Sequence, residues 1–103
     1  MKKRDYYVEM LMKLIPEGED NAVSGAYLSS RLGVSDRRLR SAIEAARAKG
    51  LLICNAQDGR GYYQSHDIAA LKRQYQQDTS RAMAILKRRK PLRDYLKELG
   101  EDV

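Results

Sequence analysis

Residues 24–50 decide the fold of this chain and read SGAYLSSRLGVSDRRLRSAIEAARAKG. Ser24 can cap a helix of about two turns over residues 25–32, since its side chain can accept a hydrogen bond from a free backbone amide. Gly33 follows at the position where a left-handed C-cap is expected. Shortly after it, Ser35 can cap another helix, so the sequence predicts two helices joined by a tight turn.

The helix that begins after Ser35 has two distinct faces. Its apolar residues recur at helical spacing and predict a buried stripe of Leu39, Ala42, Ile43 and Ala46. At about 100° per residue, the opposite face carries Arg37, Ser41, Glu44 and Ala48, flanked by Arg38 and Arg40. Arginines exposed near the start of such a helix can enter the major groove of DNA and pair with guanine O6 and N7. Ser35 and nearby free amides can bind a phosphate, and Glu44 can accept a hydrogen bond from cytosine N4.

A β-hairpin is predicted directly after this helix. Residues 51–55 are apolar and partly β-branched, and residues 61–65 contain two tyrosines, as expected of two short strands. The dipeptide Asp58-Gly59 between them is typical of a hairpin turn. The hairpin is the only β-structure that the sequence predicts.

Further helices are predicted on both sides of this central segment. An amphipathic stripe predicts a first helix over residues 5–15, and residues 16–22 are expected to form a surface loop. Asp67 can cap a fourth helix over about residues 68–90, which Pro91 breaks, kinks or restarts. The expected fold class is mainly α with a small β-hairpin and a long C-terminal helix.

The segment over about residues 23–63 resembles the winged helix-turn-helix of the biotin-repressor type. The residues that carry the resemblance are Val23, Ser24, Gly25, Leu28, Leu32, Gly33, Val34, Ser35, Leu39, Ile43 and Gly50, followed by Gly59, Arg60, Gly61 and Tyr62. The resemblance implies a transcriptional regulator whose third helix contacts bases in the major groove and whose hairpin, the wing, contacts the DNA backbone or the minor groove. It implies the recognition role for Ser35, Arg37, Arg38, Arg40 and Ser41, and the wing role for Arg60. The chain departs from the family at Ala46, where a larger apolar residue is usual, and biotin chemistry is not expected.

We expect two domains, a winged helix-turn-helix over residues 1–66 and a helical extension over residues 67–103. The extension contains a seam, defined here as the positions that step by three and four residues: Ile68, Leu71, Tyr75, Asp78, Ala82, Ile85, Arg89, Leu92, Leu96 and Leu99. Such a register is typical of paired helices. It predicts a homodimer, preferably antiparallel because Asp78 of one chain would approach Arg89 of the other. The alternative is that the seam packs within one chain on Leu11, Met12 and Ile15.

The charge of the chain favours a polyanionic partner. Twenty Lys and Arg against fourteen Asp and Glu give a net charge of +6 at pH 7, and basic residues concentrate in residues 37–49 and 87–93. No apolar run is long enough to cross a bilayer, so no membrane association is expected. The basic residues Lys2, Lys3 and Arg4 precede an amphipathic stretch, so no signal peptide is expected.

The sequence lacks the residue sets of a catalytic or metal site. Cys54 is a single cysteine that cannot form an intramolecular disulfide and matches no metal-ligand spacing, so we expect a reducing cytoplasm and neither metal nor cofactor. No nucleophile and base stand in a recognisable arrangement, and His66 is expected at the exit of the hairpin. The sequence therefore indicates a binding protein rather than an enzyme.

Three functions remain open on these residues. The leading one is binding of double-stranded DNA by a small transcriptional regulator. The same face could instead serve a replication or mobile-element accessory module with low sequence preference, or a winged helix that binds an acidic protein. The fold alone does not choose between them.

Overall fold

A computed structural model describes residues 3–103 of the chain, with the side chains of residues 5–103. The expectation about the basic start of the sequence, Lys2 to Arg4, concerns side chains outside this range. The helices and strands in chain order are α1 (Lys3–Leu14), a short 3-10 helix (Glu19–Asn21), α2 (Gly25–Leu32), α3 (Asp36–Ala48), β1 (Ile53–Asn55), β2 (Tyr62–Gln64), α4 (Ile68–Arg88) and α5 (Lys90–Glu98).

The prediction of a mainly α fold with a small β-hairpin and a long C-terminal helix is confirmed. The chain forms two compact units, Met1–Leu71 (unit 1) and Lys72–Val103 (unit 2). A domain boundary after residue 66 stays a prediction. Among the residues that the structure describes, no helix combines the length and apolar character needed to span a membrane.

The turn between α2 and α3 forms as its sequence predicts. The Ser24 side chain accepts a hydrogen bond from the amide of Tyr27 at 3.0 Å, which caps α2. Gly33 ends this helix in the left-handed conformation, with φ of 67°. The Ser35 side chain then accepts from the amide of Arg38 at 3.2 Å and caps α3. Local interactions thus fix both ends of α2 and the start of α3.

The main core of unit 1 lies between its first three helices. The predicted stripe of α3 is buried, and Ala46 in that stripe is fully buried. This core consists of Val8, Leu11, Ile15, Leu28, Leu39, Ala42, Ile43, Ala46 and Ile53. A second buried cluster consists of Cys54, Ala56, Tyr63 and Ala70. Because the stripe of α3 faces this core, its opposite face is directed to solvent.

The hairpin pairs β1 with β2 in antiparallel register, with Cys54 opposite Tyr63. Residues 16–22 were expected to form a simple surface loop, but this part of the chain follows the outer edge of β2. Gln64 donates its amide hydrogen to the carbonyl of Pro16 at 2.8 Å, and Val23 and Tyr62 exchange backbone hydrogen bonds at 2.9 and 2.8 Å. The outer edge of β2 is therefore paired with a segment whose sequence lacks the alternating apolar pattern of a strand.

Unit 2 contains most of α4 and all of α5. The Asp67 carboxylate accepts from the amide of Ala70 at 3.0 Å at the start of α4, as predicted. Arg89 alone separates the two helices, and Pro91 lies in the first turn of α5. The sequence left a break, a kink or a restart open at this proline, and the structure has a restart. Proline fits there because the first turn of a helix does not need its missing amide hydrogen.

Candidate nucleic-acid interface

The outward face of α3 carries the predicted site residues at exposed positions. Its exposed members are Ser35, Arg37, Arg38, Arg40, Ser41 and Glu44, and the hairpin residue Arg60 is exposed as well. The structure therefore brings the α3 residues together on one helix face. Their identity as DNA contacts stays a prediction.

Arg37, Arg38 and Arg40 form a cluster of uncompensated positive charge. Among the residues that the structure describes, none of their guanidinium groups makes a hydrogen bond or an ion pair. Each guanidinium offers five N–H donors in a rigid fork, which suits a planar pair of acceptors or a phosphate. The cluster therefore has its full hydrogen-bonding capacity available to a partner.

Ser35 and Asp36 act within the protein at the start of α3. The Ser35 hydroxyl is used as the N-cap, and the Asp36 carboxylate accepts a hydrogen bond from the hydroxyl of Ser29 in α2 at 3.2 Å. Ser29 is buried, so this bond fixes the packing of α2 against the start of α3. A carboxylate here also opposes an anion bound at the helix N terminus.

Arg47 connects α3 to the hairpin and is only 20% exposed. Its Nε donates to the carbonyl of Ile53 at 3.2 Å and its Nη2 to the side-chain oxygen of Asn55 at 3.0 Å. Its Nη1 donates to the Glu44 carboxylate at 3.1 Å, which places a positive charge beside that carboxylate. The sequence grouped Arg47 and Lys49 with the other basic residues of this helix, but Lys49 forms an ion pair with Asp5 of α1.

Arg60 is also held by the protein itself. Its guanidinium forms an ion pair with Asp58 and donates from Nη2 to the carbonyl of Glu19 at 3.3 Å. The backbone amide of Arg60 donates to the Asp58 carboxylate at 3.0 Å. This hydrogen bond, and then the guanidinium charge, lower the pKa of Asp58 below its ordinary 3.8. The hairpin tip therefore presents a partly neutralised arginine.

A cleft of about 190 Å³ lies between α1 and α3 and is lined by Tyr7, Arg38, Ser41 and Ala42. Sequence reasoning missed Tyr7 as a possible site residue because it lies in the apolar stripe of α1. The side chain is half-buried against the core and also reaches the basic face of α3. The helical period places it on the core side of α1, but no local signal indicates which residues of α3 it meets.

The other chemically active side chains lie elsewhere. Cys54 is 1% exposed in the second buried cluster. His66 is an exposed residue whose Nδ1 lies 3.2 Å from the Glu17 carboxylate. Among the residues that the structure describes, no group of three His, Cys, Asp or Glu residues is suited to a metal ion.

The basic residues at this face of unit 1 thus fall into two groups. Arg47, Lys49 and Arg60 hold elements of the protein together, whereas the charges at the start of α3 are uncompensated within the described residues. Only the second group has the capacity to hold an external anion without breaking an internal contact. Comparisons with known proteins found no matching family model, no similar curated protein and no similar solved structure.

Proposed function

We propose that this chain is a small DNA-binding transcriptional regulator that contacts duplex DNA through α3 and the hairpin. The observation that carries the proposal is the cluster of Arg37, Arg38 and Arg40, exposed and uncompensated at the start of a helix that follows a tight turn. This is the part of a recognition helix that enters the major groove in helix-turn-helix proteins. The order of helices and hairpin also supports a winged helix.

The side chains divide into two proposed roles. Arg37 and Arg40 contact base edges, where Arg can pair with both acceptors of guanine. Arg38 contacts a backbone phosphate, because it shares the cleft with the hydroxyl-bearing Tyr7 and Ser41. Ser35 acts by capping α3, which fixes the start of the helix that carries the three arginines.

Glu44 and Arg60 act in a more limited way. Glu44 faces outward beside Arg47, whose charge offsets the repulsion between the carboxylate and DNA. Arg60 contacts the backbone only after it exchanges its internal partner, Asp58, for a phosphate. We therefore expect Arg60 to contribute less to affinity than any of the three α3 arginines.

The first experiment measures binding to duplex DNA as a function of salt. Each phosphate neutralised by a cation should lower log K by about 0.9 per unit of log salt concentration. Arg37→Ala and Arg40→Ala should each cost about 1–3 kcal/mol on a cognate site and less on a scrambled one. Lys13→Ala removes one exposed charge from the last turn of α1 and is the matched control.

The sequence of the cognate site comes from selection of bound duplexes out of a random pool. An enriched motif supports a regulator that recognises sequence. Flat enrichment with equal losses for both arginine variants would instead support an accessory module with low sequence preference. Absence of any retained duplex at low salt would contradict DNA binding and favour an acidic protein as the partner of this face.

We also propose that the chain acts in the cytoplasm as a homodimer, without cofactor and without catalytic activity. The single buried cysteine supports a reducing compartment, because the protein needs no disulfide for its fold. The uncompensated cluster on one copy of α3 is small, and selective binding usually requires two half-sites. The dimer is proposed to form through residues 67–103.

A further inference from the structure

Most apolar positions of the seam are exposed in α4 and α5, on both sides of the restart at Arg89. Tyr75 is 75% exposed, Ile85 is 50% exposed and Leu92 is 67% exposed. Leu71 is the exception, because it is half-buried against the cluster around Tyr63. Large apolar side chains that are aligned and left in water mark a surface that another molecule covers.

The seam is symmetric about the midpoint between Met83 and Ala84. Each position on one side of this midpoint has a counterpart at the same distance on the other side: Ala82 with Ile85, Asp78 with Arg89, Tyr75 with Leu92, Leu71 with Leu96, and Ile68 with Leu99. In an antiparallel pair, each position lies opposite its counterpart on the second copy, because the twofold axis reverses the direction of the chain. In sequence, every position of the seam then has a counterpart in the second copy.

We propose that the seam binds the seam of a second copy of this chain in antiparallel orientation, with the twofold axis at the Met83–Ala84 midpoint. This deepens the dimer of the proposed function and does not depend on what α3 binds. In this register the small Ala82 lies opposite the large Ile85, and two such pairs fill the centre of the contact. Alternation of small and large side chains is what close packing of facing helices requires.

Charge selects the antiparallel orientation. The Asp78 carboxylate accepts one hydrogen bond from Gln74 at 3.0 Å, which leaves its second oxygen available. Arg89 has no carboxylate partner among the described residues. An antiparallel pair brings each Asp78 to the second copy's Arg89, whereas a parallel pair faces Asp78 with Asp78 and Arg89 with Arg89.

The flanks of the seam do not assist the association. Arg81 lies near the second copy's Arg88 in this register, and both positions are exposed. Salt screens such surface repulsion over a Debye length of about 8–10 Å. The apolar counterparts and the two Asp78–Arg89 pairs therefore carry the contact and define its register.

The register sets the distance between the two copies of Ile68, the first residue of α4. Ile68 begins α4, which is helical from there past the twofold axis. At about 1.5 Å per residue, Ile68 lies about 23 Å from the axis, and the two copies of Ile68 are about 46 Å apart along the helices.

Charge reversal on the full-length chain tests the proposal by sedimentation equilibrium without DNA. Asp78→Arg should weaken dimerisation at least about tenfold, because it creates two Arg–Arg contacts. Addition of Arg89→Asp to this variant should restore most of the affinity. Glu98→Arg makes the same change in charge off the seam and should have no effect. A wild-type chain that stays monomeric, or a double variant no tighter than Asp78→Arg, would overturn the proposal.

Cross-linking tests the orientation even if a charge variant loses helicity. Chains carrying Tyr75→Cys and chains carrying Leu92→Cys should form a disulfide with each other when mixed, but neither should cross-link with itself. Two copies of position 75 would lie about 25 Å apart along the helices, far beyond the roughly 4 Å between Cβ atoms in a disulfide. Cross-linking of the Tyr75→Cys chain with itself would indicate a parallel pair and overturn the proposal. Neither experiment contains DNA, so each outcome is independent of the function of α3.

Discussion

Replacement of Arg47 by Ala should destabilise unit 1 while leaving Arg37, Arg38 and Arg40 of the outward face in place. The guanidinium lies between α3 and β1 and donates to the carbonyl of Ile53 and the side-chain oxygen of Asn55. Both acceptors are partly buried, so they lose a charged donor that water replaces only in part. The variant therefore tests whether this arginine acts in the fold rather than in binding.

The expected cost follows from the two contacts to the hairpin. Each is a partly buried hydrogen bond from a charged donor and is worth about 1 kcal/mol after desolvation is subtracted. The Glu44 contact is discounted to about 0.5 kcal/mol or less, because that carboxylate is 73% exposed. Loss of packing by the side-chain stem adds a little more. Arg47→Ala should lower the free energy of unfolding by about 2–3 kcal/mol.

Urea unfolding followed by circular dichroism measures this cost. Arg47→Lys keeps the charge but not the fork, so it should lose most of the same stability. Arg40→Ala removes an arginine that has no partner among the described residues and should change stability by less than about 0.5 kcal/mol, while it weakens DNA binding. If Arg47→Lys were as stable as wild type, or Arg47→Ala changed stability no more than Arg40→Ala, the reasoning about the fork would be refuted.

Two further predictions concern the hairpin. Gly61→Ala should cost about 2 kcal/mol or more in urea unfolding, since its Cβ would overlap the carbonyl group of Val23 at a φ of 137°. Gly33→Ala, at a φ of 67° with no atom near the added Cβ, should cost only about 1 kcal/mol; equal costs would contradict the overlap. The pKa of Asp58 is lowered by Arg60, so the ion pair should persist above pH 3.8 and be lost as pH falls through the lower folded value. The Arg60 amide resonance should therefore titrate below pH 3.8, and Asp58→Asn should abolish that titration.

The helices were predictable because their signals are local. Ser24, Gly33 and Ser35 each act through a bond or backbone angle within a few residues, so spacing alone locates both ends of α2 and the start of α3. The buried stripe of α3 follows from a period that any amphipathic helix must have. Predicted and observed boundaries therefore differ little in these segments.

The edge of the hairpin was not predictable in the same way. Pro16 and Val23 bond to β2 residues that lie about forty or more positions later in the chain. Their segment shows no alternation of apolar residues, because its backbone does the pairing. Gly61 signals a turn in the sequence, but its closeness to Val23 exists only once the two segments meet.

The composition of the candidate site was predictable, but the roles of its arginines were less so. A helical period separates Arg37 from the apolar stripe, and the same arithmetic sets Arg47 only about 40° from Ile43. That angle is a signal that Arg47 borders the core, although it does not identify Ile53 and Asn55 as acceptors. Asp58 two residues before Arg60 is likewise typical of a turn in which Asp accepts from the backbone. The sequence contains both signals, but its concentration of positive charge favoured the interpretation that these arginines contact an external anion.

The two proposals together predict how the salt dependence of binding changes with the oligomeric state. Of the unit 1 arginines proposed to contact DNA, Arg38 and Arg60 contact phosphates, so a monomer should show a slope of log K against log salt of about −1.8. A dimer that engages both units should approach about twice that value. Asp78→Arg should therefore lower the slope by about half on a two-site duplex while leaving binding to a single half-site unchanged. A slope that stays the same in this variant would mean that the two units do not bind together, even if each binds DNA.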